Sequence, residues 1–227
     1  MTVTCDLLLR GTSELVTMAG DGLGVIRHGA LAARDGRIVW VGPEADIAAA
    51  LEVPDDALVV DAEGAAVLPG LVDAHTHTVF AGVRANEYGR RLEGAGYLEI
   101  QAAGGGIMST VRATRVATEE HLADLARRRL DSFLRHGTTT LEIKSGYGLT
   151  LADERKMLRA ARVAHPTNRV TTLMAAHTVP EELAGRDDEF IDLVCREILP
   201  ALAGEADFVD VFCDEGAFTV AQARRVL

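Results

Sequence analysis

Two histidines one residue apart, His75 and His77, carry the clearest chemical signal in the chain. They close an apolar run, Leu71 to His77, that reads as a β-strand. In a strand, positions two apart project to one side, so both imidazoles can converge on a single point. Neutral imidazole nitrogens about 2 Å from a cation are ordinary ligands of zinc or iron. A lone His-x-His is more commonly a hydrogen-bonded pair on a polar sheet face, in roughly two cases of three. What changes that balance is the setting.

From Cys5 to Pro69 the chain has short β-rich runs and tight turns with little helical periodicity. Leu7-Leu8-Leu9 is one run, and Ala30 to Ala33 leads through Asp35-Gly36 into Arg37 to Gly42. Asp-Gly between apolar runs predicts a hairpin, because both turn positions need positive φ. Leu58 to Asp61 is a further strand, closed by Glu63-Gly64. A small β-sandwich is expected over residues 1–69.

After Pro69-Gly70 the texture changes to strand, loop and helix in repetition. Strands are predicted at Leu71 to His77, Thr138 to Ile143, Val170 to His177 and Phe208 to Cys213. Thr118 can cap a helix whose apolar stripe runs through Leu122, Leu125, Leu130, Phe133 and Leu134 before Gly137. Further helices are expected around Asp153 to Ala164 and through Phe190, Ile191, Val194 and Ile198. This alternation implies an α/β fold with a parallel sheet. A (β/α)8 barrel fits, with residues 70–227 as its first four units, and a doubly wound sheet gives the same alternation. In the barrel reading His75 and His77 sit at the C-terminal end of the first strand, where barrel enzymes build their sites. Thr219 caps a last helix in which the chain stops at Leu227. Four units are half a barrel and leave two open sheet edges, so the expectation is a fragment whose missing half lies C-terminal.

Composition excludes several classes. The 34 acidic against 23 basic residues give a net charge of −11, which disfavours nucleic acid as a partner. Cys5, Cys195 and Cys213 form no C-x-x-C pair, and reduced thiols are expected. No secretory signal or membrane span is evident, so a cytoplasmic location follows by elimination.

Taken in order, the segments Ala33 to Ile38, Val59 to Gly64 and Pro69 to His77 resemble the entry to the amidohydrolase superfamily. More narrowly, His75 to Arg84, Ala103 to Arg112, Glu142 to Gly148 and Ala175 to Pro180 resemble the imidazolonepropionase family, over essentially the whole chain. The resemblance implies a metal-dependent hydrolase of histidine breakdown. Such an enzyme opens the cyclic amide of 4-imidazolone-5-propanoate to N-formimidoyl-L-glutamate, with one zinc or iron ion per site. His75 and His77 match its first two metal ligands. Arg84 matches a substrate-binding arginine, whose planar fork suits a carboxylate; on its own it is as readily a surface ion pair. Tyr147, between two glycines, matches a substrate-contacting tyrosine. His177 matches a substrate-binding histidine beside the metal, steadying an oxyanion or orienting the ring. Tyr97 is a weaker match to the same pocket. The family draws its remaining metal ligands, a His and an Asp, from strands beyond Leu227, so negligible activity is expected of this chain alone. A small-molecule substrate and, in the full-length family, a homodimer are implied.

Two motifs mislead. Gly104-Gly105-Gly106 lacks the Gly-Lys-Ser/Thr of a phosphate loop and reads as a flexible active-site loop. Lys144 lies on the second strand unit, not the fourth, which argues against a carbamylated bridging lysine and for one metal. The rival readings are a purine or pyrimidine deaminase or dihydropyrimidinase-like ring opener, although a bare nucleobase has no use for Arg84 with Tyr147, and a noncatalytic or complementing half-barrel that pairs with itself or a partner chain.

Overall fold

A computed structural model describes residues 2–94, 96 and 105–227. Two compact units divide the chain, Met1–Gly70 and Leu71–Leu227.

The first unit is built on strands β1 (Val3–Thr4), β2 (Leu7–Arg10), β3 (Glu14–Val16), β4 (Val25–Arg27), β5 (Gly29–Arg34), β6 (Arg37–Pro43), β7 (Leu51–Glu52) and β8 (Leu58–Asp61). Its main sheet has the order β6-β5-β2-β8, with β1–β7 and β3–β4 as separate two-stranded pairs. The β5–β6 hairpin turns at Asp35 and Gly36, whose φ values of 52° and 72° are the left-handed pair that an Asp-Gly turn provides. Cys5, Leu8, Ala32 and Leu51 form a small buried core, with Trp40 and Ile47 packed against it. A short helix, Ile47–Ala50, interrupts the strands.

In the second unit, strands β9 (Leu71–Thr76), β10 (Thr138–Lys144), β11 (Asn168–Ala176) and β12 (Phe208–Val211) form one parallel sheet in the order β12-β11-β10-β9. Each strand joins beside its predecessor, and among the described strands the order never reverses. Leu141, Ile143 and Leu173 share one buried cluster with Leu122, Leu130, Met157, Leu158, Phe190 and Ile191 of the helices. Burial of these side chains is worth roughly 1.5–3 kcal/mol each.

The helix Glu119–Arg135 begins as expected, with the Thr118 hydroxyl accepting the His121 N–H at 3.2 Å. Leu151–Ala161 starts earlier than the sequence suggests because Thr150 caps it, its hydroxyl accepting the Asp153 N–H at 3.1 Å. Beyond Asp187–Leu193 the third helix continues through a π segment, Val194–Ile198, into Leu199–Leu202. Val220–Val226 carries a full capping box between Thr219 and Gln222. A helix at Ile107–Val116 follows Gly106 directly, where the glycine run alone suggests only a loop. Among the described residues no helix is long and apolar enough to cross a membrane.

Candidate active site

Three segments bring the candidate residues together. The first is the end of β9. Thr76 is buried there and its hydroxyl donates to the Glu142 carbonyl at 2.7 Å, pinning the strand end to β10. His75 and His77, on either side of it, have ring centroids 5.8 Å apart and planes at 66°. His77 lies one residue past the strand end.

The second segment is the turn after β10. Gly146 has a φ of +105°, and a Cβ there would lie 2.8 Å from both His177 Nδ1 and the Met174 carbonyl oxygen. Only glycine fits without displacement. Tyr147 follows, buried, with its ring centroid 5.1 Å from that of His77. The third segment is the end of β11, where His177 follows Ala176. Its ring stacks on His77 at 4.6 Å with an interplanar angle of 6°, and stands 5.3 Å from Tyr147. His177 Nδ1 lies 2.9 Å from the Gly146 carbonyl oxygen. A carbonyl only accepts, so Nδ1 carries the proton and Nε2 of the neutral ring keeps its lone pair.

Burial pushes the His77 pKa down to about 4, and the neighbouring His177 and His75 push the same way. Burial also lowers His177, against the pull of its bond to Gly146. Burial raises Tyr147, and the Arg84 charge partly offsets the rise. Both stacked rings are therefore neutral at pH 7, and the phenol keeps its proton.

Arg84 stands at the N-cap position of the helix Ala85–Leu92 without a side-chain capping bond, and is exposed. A cavity of about 320 Å³ has Arg84, Tyr147, Phe80, Thr110 and Arg129 among its walls. Among the described residues the Arg84 side chain makes no hydrogen bond or ion pair, and its carbonyl accepts the Glu87 N–H at 3.0 Å. Arg129, by contrast, donates to the carbonyls of Thr78 and Phe80 at 2.8 Å each, with its guanidinium 3.5 Å over the Phe80 ring. Arg129 thus holds the turn after His77 in shape and leaves Arg84 as the cation open to a ligand.

Behind the rings lies an ionic group. Lys144 Nζ is 2.5 Å from Glu142 Oε1 and 2.8 Å from Asp210 Oδ2, and Thr172 donates to Glu142 at 2.6 Å. Burial opposes the Lys144 charge, but the bonds to Asp210 and Glu142 outweigh it and raise its pKa. A lysine so engaged is a fixed cation, not a free nucleophile.

The imidazole pair suits a metal in two respects. His77 Nδ1 is buried and has no hydrogen-bond partner among the described residues. Its ring is neutral, which is the ligating form. A catalytic ion needs at least three protein ligands, and among the described residues no group of three His, Cys, Asp or Glu side chains is placed to hold one. Two donors fit, as part of a larger set.

Sequence comparison finds relatives over nearly the whole chain. The chain is 52% identical over 236 residues to an imidazolonepropionase of Symbiobacterium thermophilum, covering 98% of this chain and 56% of that protein. It is 54% identical over 227 residues to an imidazolonepropionase of Rhizorhabdus wittichii, with the same coverage. Along nearly its whole length this chain is similar to the imidazolonepropionases. It spans about half the length of the curated relatives it matches. No family model matches it. Solved structures with a similar fold include a zinc-bound adenosine deaminase from Xanthomonas campestris, at 19% identity and a TM-score of 0.53, covering 90% of this chain and 55% of that one. A zinc complex of an atrazine chlorohydrolase from Arthrobacter aurescens has 20% identity and the same TM-score, covering 87% and 42%. Their likeness to this chain is one of fold.

His75, His77, Tyr147 and His177 are thus clustered, and Arg84 shares a cavity with Tyr147. Tyr97 and Gly104 lie outside the described residues. The sequence reading missed Arg129 and Glu154. Arg129 sits on the helix Glu119–Arg135, where an arginine looks like ordinary surface. Glu154 occupies the first turn of its helix, where an acid looks like a dipole partner, yet it is fully buried.

Proposed function

We propose that this chain supplies two metal ligands and the substrate pocket of an enzyme that hydrolyses the cyclic amide C–N bond of 4-imidazolone-5-propanoate to N-formimidoyl-L-glutamate, in the cytoplasmic breakdown of histidine. The observation that carries the reading is the packing of Tyr147 and His177 against His77, with the unengaged Arg84 in the adjoining cavity. In this reading the parallel sheet is the first half of a (β/α)8 barrel. A strand order without reversal supports that over a doubly wound sheet. Residues 1–69 would form a β-sandwich segment and residues 70–227 the first four barrel units. A homodimer belongs to the same reading.

His75 and His77 would hold one zinc or iron ion through neutral imidazoles. The chemistry such an ion supplies is Lewis-acid activation of water for attack on the ring carbonyl. Arg84 would take the propionate carboxylate in a bidentate pair, and that binding would fix the flat ring near the imidazoles. Tyr147, protonated at neutral pH, can donate a hydrogen bond from its buried phenol. His177 would orient the ring through Nε2, the nitrogen left open by the bond to Gly146. Overall, water adds across the C–N bond, the carbonyl carbon becoming a carboxylate and the ring nitrogen taking a proton.

The test is ligand binding followed by NMR. Imidazole-4-propionate should bind and shift the His177 and Tyr147 ring signals, while its methyl ester and cytosine should not. Arg84→Ala should weaken the propionate by roughly 1.5–3 kcal/mol, the worth of a charged hydrogen-bonded pair. Equal binding of ester and acid, or preference for cytosine, would overturn the assignment in favour of a deaminase-like pocket.

A further inference from the structure

Glu154 has no place in the reading above, yet it is the most completely buried acid in the described chain and lies directly under the Tyr147 turn. It is 0% exposed. Its Oε1 accepts the N–H groups of Gly148 and Leu149 at 2.8 and 2.7 Å, and its Oε2 accepts that of Gly146 at 3.0 Å. A buried carboxyl group is costly unless its lone pairs are met, and here three backbone donors meet them. Burial raises its pKa, and hydrogen bonds from Ser145, Leu149, Gly148 and Gly146 oppose the rise. Either protonation state retains acceptor oxygens facing the turn.

The turn that Glu154 gathers is a strained one. Gly146 has a φ of +105° and Leu149, a non-glycine residue, one of +59°. Such backbone persists only where its surroundings over-determine it. Gly148 is pressed so close to the helix that a Cβ would sit 2.5 Å from the Glu154 nitrogen. The same peptide run carries the two groups that matter. Tyr147 lies between the clamped N–H groups, and the Gly146 carbonyl receives His177 Nδ1–H.

The geometry points to Glu154 as a positioning residue for the site: its carboxyl group holds the Gly146–Leu149 backbone so that the Gly146 carbonyl fixes the His177 tautomer and Tyr147 faces His77. The inference rests on the proposed role of His177 and Tyr147 for its relevance to catalysis. The physical linkage itself can be read without substrate, metal or turnover.

The test uses the whole chain with 15N-labelled histidine, near pH 8, where His77 and His177, both lowered by burial, are neutral. In the unaltered protein His177 should show a protonated Nδ1 and a bare Nε2, and the amides of Gly146, Gly148 and Leu149 should exchange slowly. Glu154→Gln keeps the shape and one acceptor oxygen. That oxygen should stay with the two donors at Gly148 and Leu149, leaving an NH2 group facing the Gly146 N–H. Exchange at Gly146 should then rise roughly tenfold or more relative to Gly148. The His177 signals should shift towards a mixture of tautomers, with far-UV circular dichroism unchanged. Glu154→Asp, too short to reach all three donors, should give an intermediate spectrum.

A Glu154→Gln protein that folds with the His177 tautomer and the Gly146 exchange rate unchanged would overturn the inference. Fast exchange at all three amides in the unaltered protein would do so even if no variant folds. Because neither readout involves a ligand, failure of the propionate-binding test would leave this result standing, and the reverse.

Discussion

The imidazoles of His77 and His177 stack nearly parallel at 4.6 Å although they end different strands, β9 and β11. The contact skips the strand between them. What makes room for it is Gly146, in the turn after that intervening β10 strand, where a side chain would collide with His177.

Gly146→Ala is therefore expected to separate the rings. The added methyl would fall 2.8 Å from the Met174 carbonyl oxygen, which is backbone and cannot swing aside. With the positive φ also strained, a loss of about 1–3 kcal/mol in stability is expected. Chemical denaturation checks the stability, and loss of the mutual ring-current shifts of His77 and His177 in the NMR spectrum checks the separation.

Metal binding by this chain alone should be weak and should need both imidazoles, because the described residues offer two donors and no third. Titration with zinc against a chromophoric chelator should show a site removed by His75→Ala or His77→Ala. Turnover of imidazolone propionate by the metal-loaded chain should be negligible. A rate close to that of a full-length homologue, or tight zinc binding that survives both substitutions, would contradict the ligand assignment.

Both outer strands of the parallel sheet expose large apolar side chains, Leu71 and Val72 on β9 at 52% and 68%, and Phe208 on β12 at 62%. An uncovered apolar edge is a template for pairing with another chain. Concentration-dependent association is expected by light scattering, and Val72→Lys should shift it towards monomer.

Asp207 ties the start of β12 to β11. Its Oδ2 accepts both the N–H and the hydroxyl of Thr171, at 2.8 and 2.9 Å, and these bonds hold its pKa below the usual carboxylate value. A depressed folded pKa stabilises fully above the ordinary carboxylate range, where folded and unfolded chains are both ionised. That stabilisation fades as pH falls through the ordinary value to the lower folded one. Asp207→Asn should be less stable at neutral pH and should lose less between pH 5 and pH 2 than the unaltered chain, which acid-titrated thermal melts will show.

Much of the architecture is legible in the sequence, and the gaps have physical causes. Strand positions follow from apolar runs, and Asp35-Gly36 declares its hairpin. Thr118 and Thr219 declare helix starts, because capping is local chemistry. The helix Ile107–Val116 hides because part of its buried face is polar. Thr110 and Thr114 are buried, and Thr114 accepts the Ala81 N–H at 3.1 Å, so no clean apolar stripe appears. Glu154 and Lys144 hide for a different reason. Lys144 pairs with Asp210 on another strand, which only the fold brings close, and Glu154 bonds a turn just upstream whose shape no local pattern declares. Strand ends differ by one or two residues, as where β9 stops at Thr76, because pairing with the neighbour and not composition ends a strand.

The two halves of the site are unequally braced. β10 and β11, which lead to Tyr147 and His177, are each flanked on both sides, whereas β9 has β10 as its sole neighbour among the described strands, with two interruptions in their pairing. The ribbon bearing His75 is thus fastened along one margin, while the wall it faces is fastened along two. Any drift in the distance between cation-side and ligand-side groups will come from the looser ribbon, and whatever lies along its open margin will tune how far apart they stand.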